Sequence, residues 1–259
     1  MGRSPTVPSL KLPSLREGTL AQGEYRASGV VLRRSDGGGK SQELLLFLRS
    51  LGLVRVSAPG AGGSRNRFGA GTEPMAWGEF LLYQSPRRLY LKAVDVREGF
   101  WGVRASPAAL RMAVKWCCEL SGRLMPGIES DNLLSLLWGS VKNLSVGLSP
   151  LLLDVRFAWR WGNLWGVAPS LDYCASCGAS LDVTSGCFAA GEDGLMCAGC
   201  VSLAAEARFK SISASALRAL RDAATLPREK FSAWAAASAS SGSALADCSS
   251  WLYSFLSRL

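Results

Sequence analysis

Histidine is absent from this sequence of 259 residues, and its absence removes several classes of enzyme. Ser-His-Asp and Cys-His catalysis need an imidazole, and so do histidine-ligated metal sites and most general bases that act at neutral pH. No pair of acidic residues stands in a recognisable active-site motif either. We therefore expect a protein that is not an enzyme.

Long apolar runs are also absent. No window reaches the roughly 18 apolar residues of a membrane-spanning helix. Residues 1–24 are polar, contain three prolines and lack the pattern of a signal peptide, so we interpret them as a flexible leader. We expect no membrane partner and a cytoplasmic location.

Positive charge is plentiful but unevenly distributed along the chain. The formal net charge is +9, and residues 1–105 hold 16 Lys and Arg against 8 Asp and Glu. Residues 170–259 hold 7 against 8, and residues 106–169 hold 6 against 4. This distribution indicates that a polyanion would bind the N-terminal part, although an ordinary solubilising charge gives the same count.

Four of the eight cysteines form two Cys-x2-Cys pairs. Cys174 and Cys177 are followed, after nineteen residues, by Cys197 and Cys200. In a reducing compartment this spacing is typical of a zinc site with four thiolate ligands. Four thiolates complete the tetrahedron and leave no open position, so the sequence predicts one structural Zn²⁺ ion.

There are three alternatives to this ligand set. A Cys-x-x-Cys pair can be a redox centre, the cysteines could form disulfides, which the lack of a secretion signal disfavours, and Cys187 could replace one of the four ligands. Gly178 and Gly199 stand at the two pairs, where tight turns favour glycine. No Lys or Arg occurs between residues 170 and 202, so we interpret the module as stabilising the fold and not as binding phosphate.

The N-terminal part reads as a series of short strands. The candidates are rich in Val, Leu, Tyr and Phe and are bounded by Gly, Pro, Ser or Asp; they span residues 26–33, 43–49, 53–58, 79–84 and 88–96. Five short strands with one long Gly-rich connection suit a small closed barrel. The oligonucleotide-binding (OB) barrel is the natural candidate, and another small β-barrel is the alternative.

Helical periodicity replaces the strand pattern after residue 105. Ser106 and Pro107 form an N-cap and first-turn pair, and the face that follows consists of Leu110, Val114, Cys117 or Cys118, and Ser121. Tryptophans at 159, 161 and 165 are expected in the core. The predicted fold is α+β, with a leader (1–24), an OB barrel (25–105), a helical domain (106–169), the inserted zinc module (170–202) and C-terminal helices (203–225 and 228–259).

Arginines and aromatic residues are interleaved on the predicted strands and loops, a mixture that suits single-stranded nucleic acid. Strand alternation places residues 88, 90 and 92 on one outward face while the leucines between them point inward. The candidate DNA-binding residues are Arg33, Arg34, Arg65, Arg67, Arg88, Tyr90 and Lys92. Each arginine alone is as well explained as a solvated surface residue.

Three segments carry a family resemblance. The most specific is Gly-x-x-Pro-x-Leu-Asp-x-Cys-x-x-Cys-Gly at residues 166–178; the others are Val-Ser-Ala-Pro-Gly-Ala at 56–61 and Phe-Ala-Ala-Gly-Glu-Asp-Gly-Leu-Met-Cys at 188–197. In these segments the chain resembles the RecO family of bacterial DNA repair and recombination mediators. The resemblance covers residues 25 to about 202.

The resemblance implies a function and partners. A protein of this kind would bind single- and double-stranded DNA at the nucleoid, anneal complementary strands, and help load recombinase with RecR and single-strand-binding protein. Gly62 and Gly63 stand where family members usually carry basic residues. The alternative is an RNA-binding OB-fold protein with a structural zinc ribbon, because basic and aromatic residues suit RNA equally well.

Overall fold

The structure is a computed structural model that describes residues 20–63, 66–182, 188–191, 193–203, 210–238 and 242–257. Arg65 and Cys187 lie outside these residues. The chain divides into two compact units. One is the chain up to Arg97 with Leu124–Ser130, and the other is Glu98–Arg123 with Asp131–Leu259.

A closed five-stranded barrel forms the first unit. Its strands are β1 (Gly23–Asp36), β2 (Ser41–Leu48), β3 (Gly52–Pro59), β4 (Trp77–Gln84) and β5 (Leu89–Glu98). Their order is β1-β2-β3-β5-β4, and β4 pairs back onto β1. β3 and β5 run parallel where Ser57 pairs with Tyr90. All five predicted strands are confirmed, and the order is that of an OB barrel.

The interior of the barrel is filled by alternate residues of its strands. Leu46 on β2 and Phe80 on β4 are fully buried, and β4 alternates strictly between buried and half-buried positions. On β5, Leu89 and Leu91 belong to the same apolar core, whereas Tyr90 is half-exposed. The predicted alternation of this strand is therefore observed.

Helices α1 (Trp101–Ala105), α2 (Pro107–Arg123), α3 (Asp131–Ser145) and α4 (Pro150–Leu164) open the second unit. α2 starts at Pro107, and the N–H of Ala109 donates to Oγ of Ser106 at 3.4 Å, as an N-cap requires. None of the described helices is long and apolar enough to cross a membrane.

The buried face of α2 is not the one that the sequence predicts. The predicted face is confirmed at Cys117, which is 4% exposed, but it is wrong at Val114, which is 44% exposed. The buried residues are Ala109, Ala113, Trp116, Cys117 and Leu120. Small and large apolar residues alternate so closely on this helix that two adjacent faces both satisfy the helical spacing. The expectation for the tryptophans is confirmed at Trp161, which is fully buried.

The rest of the unit holds a small sheet and four helices. The strands are β6 (Phe188–Ala190), β7 (Leu195–Met196) and β8 (Lys210–Ile212), and the helices are α5 (Ala198–Leu203), α6 (Ala214–Thr225), α7 (Arg228–Ala237) and α8 (Gly242–Leu256). The prediction of a helix over residues 203–225 is wrong at residues 210–212, which form the strand β8 and pair with β6. Pairing with a distant strand overrides the local preference there.

α4 lies at the centre of the helices and carries a buried carboxylate. Asp154 is 1% exposed. It accepts hydrogen bonds from Nε1 of Trp116 at 2.8 Å and from the hydroxyl of Tyr253 at 3.0 Å, and it also bonds Lys115 and Ser249. These partners lie on α2 and α8, so one side chain ties three helices together.

Candidate metal centre and nucleic-acid interface

The first cysteine pair lies in a tight turn. The N–H of Cys174 donates to the carbonyl of Ala179 at 2.8 Å, and the N–H of Gly178 donates to the carbonyl of Cys174 at 3.0 Å. Gly178 has φ of +73°, a left-handed conformation that favours glycine. The turn predicted at this pair is therefore present.

A helix start brings the second pair together. Cys197 directly precedes α5, and Cys200 lies in its first turn. Gly199 is part of this helix and is not left-handed, so the expectation that this pair needs a glycine turn is wrong. Residues three apart share a helix face, which is enough to direct both thiols to one point.

The four predicted cysteines converge. Their Sγ atoms all lie within 4.8 Å of one another, and those of Cys177 and Cys197 are 3.8 Å apart. Four sulfurs at about 2.3 Å from a zinc ion form a tetrahedron with edges of about 3.8 Å. The donor set and its size therefore fit zinc without rearrangement of the backbone.

Backbone amides favour the thiolate form at this centre. Burial raises the pKa of Cys174, but N–H groups of Cys177, Cys197 and Ser176 lower it, and the balance brings the pKa to about 6. One of these contacts, from the N–H of Cys197 to Sγ of Cys174, measures 3.3 Å. Zinc ligands must be deprotonated, and Cys174 meets this condition more readily than an ordinary thiol. At Cys200 a hydrogen bond with Ser176 lowers the pKa, but hydrogen bonds with the thiols of Cys177 and Cys197 outweigh it and raise the pKa to about 12.

Arg221 on α6 holds the cysteine module in place. Its guanidinium donates to the carbonyl of Leu171 at 2.7 and 2.8 Å and to that of Leu181 at 2.9 Å, and it pairs with Asp172 at 3.3 Å. The sequence gives no signal for this role, because Arg221 lies more than twenty residues from the nearest cysteine pair.

A groove of about 1070 Å³ lies on the barrel unit. Its cationic side chains come from β3, which carries Arg55, and from the β4–β5 loop, which carries Arg87 and Arg88. The segment between α2 and α3 contributes Met125 and Ile128. The remaining lining residues are Leu20, Asp36, Gly37, Glu43, Leu51, Leu53, Val54, Ser57, Gln84, Leu89, Pro126 and Gly127.

The three groove arginines differ from Arg26, Arg34 and Arg97 in their pairing, but not from Arg33, Arg49 and Arg67, for which the described residues likewise provide no ion pair. The guanidinium groups of Arg55, Arg87 and Arg88 form no ion pair with any residue that the structure describes. By contrast, Arg26 and Arg97 both pair with Glu79, at 3.7 and 3.8 Å. The groove arginines are therefore available to an external anion.

Two carboxylates share the groove with these arginines. Asp36 and Glu43 line it, so its formal charge is +1. Oδ1 of Asp36 accepts the N–H of Gly38 at 3.0 Å, which engages this side chain in its own turn. The groove is thus cationic on the β3 and β4–β5 side and is not uniformly basic.

Four of the predicted DNA-binding residues form a strip along β5, which we call the basic strip: Arg88, Tyr90, Lys92 and Arg67. Arg88 reaches the groove, and Tyr90 pairs with Ser57, another groove residue. Arg67 donates to the carbonyl of Lys92 at 3.3 Å, and Nζ of Lys92 lies 5.9 Å from the ring centre of Tyr83. Cations and rings therefore alternate along one outward face.

Of the other predicted residues, the structure does not place Arg33 and Arg34 in the groove, and Arg65 lies outside the described residues. Arg33 and Arg34 lie on β1, and Arg34 is engaged by Glu73 in a 2.5 Å contact. The β1–β2 turn places Lys40 beside Gly62, because the N–H groups of Gly60 and Gly62 both donate to its carbonyl at 3.0 Å. A lysine thus stands next to the glycines that replace the basic residues expected from the resemblance.

Comparison with known proteins identifies the relatives of this chain. Residues 112–249 match the family model described as Recombination protein O C terminal. The chain is similar to the DNA repair protein RecO of Rubrobacter xylanophilus, with 30% identity over 78% of this chain and 82% of that protein. It is also similar to that of Anaeromyxobacter sp. strain K, with 34% identity over 68% and 70%. For Desulforamulus reducens the identity is 26% over 69% of each chain.

Proposed function

This chain belongs to the RecO family of DNA repair proteins, and from this premise we propose that it is a non-enzymatic mediator that binds and anneals single-stranded DNA during recombinational repair. The observation that carries the proposal is the groove, whose three arginines form no ion pair with the residues that the structure describes, together with the basic strip that continues it. OB barrels bind oligonucleotides on strands 2 and 3 and on the loops that follow strands 1 and 4. Arg55, Arg87 and Arg88 lie in this region.

The chemistry of the surface fits a single strand better than a paired one. Guanidinium groups bind phosphates, and exposed rings stack on bases, which only an unpaired strand offers freely. Tyr90 is the ring in the middle of the basic strip. Annealing follows from the same contacts, because a protein that neutralises phosphates lowers the repulsion between two complementary strands.

The cysteine centre has a separate part in this proposal. One structural Zn²⁺ ion held by Cys174, Cys177, Cys197 and Cys200 would stabilise the fold and take no part in DNA binding. The surrounding module has no Lys or Arg between residues 170 and 202 with which to bind phosphate. RecR and single-strand-binding protein are the proposed partners in recombinase loading, at the nucleoid.

Annealing of complementary oligonucleotides, one carrying a fluorophore and the other a quencher, tests the function. We expect the protein to accelerate annealing over the protein-free rate, and also when the strands are coated with single-strand-binding protein. Unlabelled RNA of the same sequence should compete no better than unlabelled DNA. Absence of any acceleration, with RNA competing better than DNA, would favour the alternative of an RNA-binding protein.

A further inference from the structure

The segment Leu124–Ser130, which joins α2 and α3, packs with the barrel unit although its flanking helices belong to the other unit. Pro126 forms a parallel bridge with Leu53 on β3, and the N–H of Gly127 donates to the carbonyl of Leu53 at 3.0 Å. The segment therefore extends the outer surface of β3 by backbone contacts, which fix its position.

Gly52 allows this close approach. A Cβ atom on Gly52 would lie 2.0 Å from the carbonyl oxygen of Ile128, and Gly52 has φ of +66°. Because of the left-handed backbone and the short distance to Ile128, a larger residue could occupy position 52 only if the segment shifted. Gly52 on the barrel therefore determines the path that residues 124–130 can take.

This path leaves two large apolar side chains in solvent. Met125 is 65% exposed and Ile128 is 52% exposed, and both line the groove that holds Arg55, Arg87 and Arg88. An apolar edge in the same groove as guanidinium groups that have no ion pair in the described part of the chain suits a ligand with anionic and apolar parts. A single strand of nucleic acid has this character, because its phosphates alternate with bases whose faces are apolar.

We propose that Met125 and Ile128 form an apolar edge that contacts the bases of a single strand whose phosphates lie on the groove arginines. The inference rests on the proposed DNA-binding function and adds to it a preference for single strands over duplex. Met and Ile are residues that DNA-distorting proteins insert between base steps, at the cost of unstacking the bases. Unpaired strands avoid most of that cost, so the edge selects single strands over duplex.

The test replaces both side chains by serine in the full-length protein, as Met125→Ser with Ile128→Ser. Both residues are more than half exposed, so the thermal unfolding midpoint should stay within about 2 °C. Affinity is measured by fluorescence anisotropy at one fixed salt concentration. The ligands are a single strand, an abasic strand of equal length and a duplex. Val146→Ser, which removes a 69% exposed apolar side chain from the other unit, is the matched control.

We expect the double variant to bind the single strand about five- to tenfold more weakly, because two apolar contacts are removed. Binding to the abasic strand and to duplex should change less than twofold, and Val146→Ser should change none of the three affinities. Unchanged affinity for the single strand would overturn the proposal and leave the edge to a protein partner. An equal loss with all three ligands would overturn it too, because bases would not be the cause.

The failure of this inference is distinguishable from failure of the proposed function. If the unmodified protein binds the single strand in an arginine-dependent way and the serine variant matches it, only the apolar edge is wrong. If the unmodified protein binds none of the three ligands, the DNA-binding function is wrong, and the apolar edge falls with it.

Discussion

At the scale of single residues, the cysteine centre depends on backbone groups as much as on its ligands. The thiol of Cys174 is buried, which by itself opposes ionisation, yet N–H groups from both pairs of cysteines lower its pKa to about 6. The spacing of the cysteines was sufficient to predict the four ligands. The balance between burial and amide contacts was not accessible from sequence, because it depends on how the two pairs face each other.

Metal content and stability are the readouts for this centre. We expect about one zinc ion per chain, since one four-thiolate site binds one ion. Cys197→Ser should lower the thermal midpoint and the zinc content together, because metal-binding energy contributes to folding. Chelator treatment should reproduce the shift in the unmodified protein and leave the variant unchanged. A protein that binds no zinc after expression in zinc-supplemented medium would contradict the assignment.

Arg221 gives a second prediction at this scale. Arg221→Ala leaves the carbonyls of Leu171 and Leu181 without their charged donor and should cost about 2 kcal/mol of unfolding free energy. Arg218→Ala is the matched control, because Arg218 lies on the same helix and is exposed; it should cost less than about 0.5 kcal/mol. Denaturant unfolding measures both free energies. Equal costs for the two variants would show that the contacts of Arg221 with the cysteine module do not stabilise the fold.

At the scale of elements, strands were predicted more accurately than helix faces and long-range pairings. Composition located all five barrel strands, because segments rich in Val, Leu, Tyr and Phe stand between Gly, Pro, Ser or Asp residues that favour turns. The predicted face of α2 is wrong because apolar residues stand side by side at 109–110, 113–114 and 116–118, so the helical spacing fits two adjacent faces. The strand β8 and the buried acid Asp154 depend on partners far along the chain, at β6 and α8, which no local pattern reveals.

The position of the segment Leu124–Ser130 is the feature of the fold that the sequence indicates least. Its Pro126-Gly127 dipeptide marks a turn between two helices, but nothing local indicates that the turn packs on β3. Arg55 and Arg87 belong to the cluster of arginines on the predicted strands and loops, but the sequence does not distinguish them from its other members. Their position in the groove, and the absence of ion pairs to them among the described residues, separate them from Arg26 and Arg97.

Substitution of Gly52 tests how this segment is fixed. Gly52→Ala forces a left-handed backbone on alanine and also clashes with Ile128. Gly39→Ala is the control for the first effect alone, because Gly39 has φ of +63° and open space around its Cα. We expect Gly39→Ala to cost about 1 kcal/mol and Gly52→Ala to cost at least about 1 kcal/mol more, since packed backbone must shift.

Amide hydrogen exchange locates the effect of the same variants. The N–H of Gly127 donates to the carbonyl of Leu53, so its exchange should accelerate in Gly52→Ala and stay unchanged in Gly39→Ala. Equal exchange rates at Gly127 in both variants would show that the segment does not depend on Gly52.

At the scale of the whole molecule, charge and metal are divided along the chain. The N-terminal 105 residues carry the excess of positive charge, and the cysteine centre lies in a stretch without Lys or Arg. Positive charge that could attract a polyanion and thiols that could hold a metal are therefore supplied by different parts of the chain.

The salt dependence of binding to a single strand tests the central claim most directly. Each phosphate contact with a single strand contributes about 0.7 to the slope of log affinity against log salt. Replacing Arg55, Arg87 and Arg88 with alanine should therefore flatten the slope by about two units. The control variant, with Arg26, Arg97 and Arg218 replaced by alanine, removes the same formal charge and should change the slope by less than about half a unit. If the two triple variants flatten the slope equally, the groove is not the DNA-binding surface.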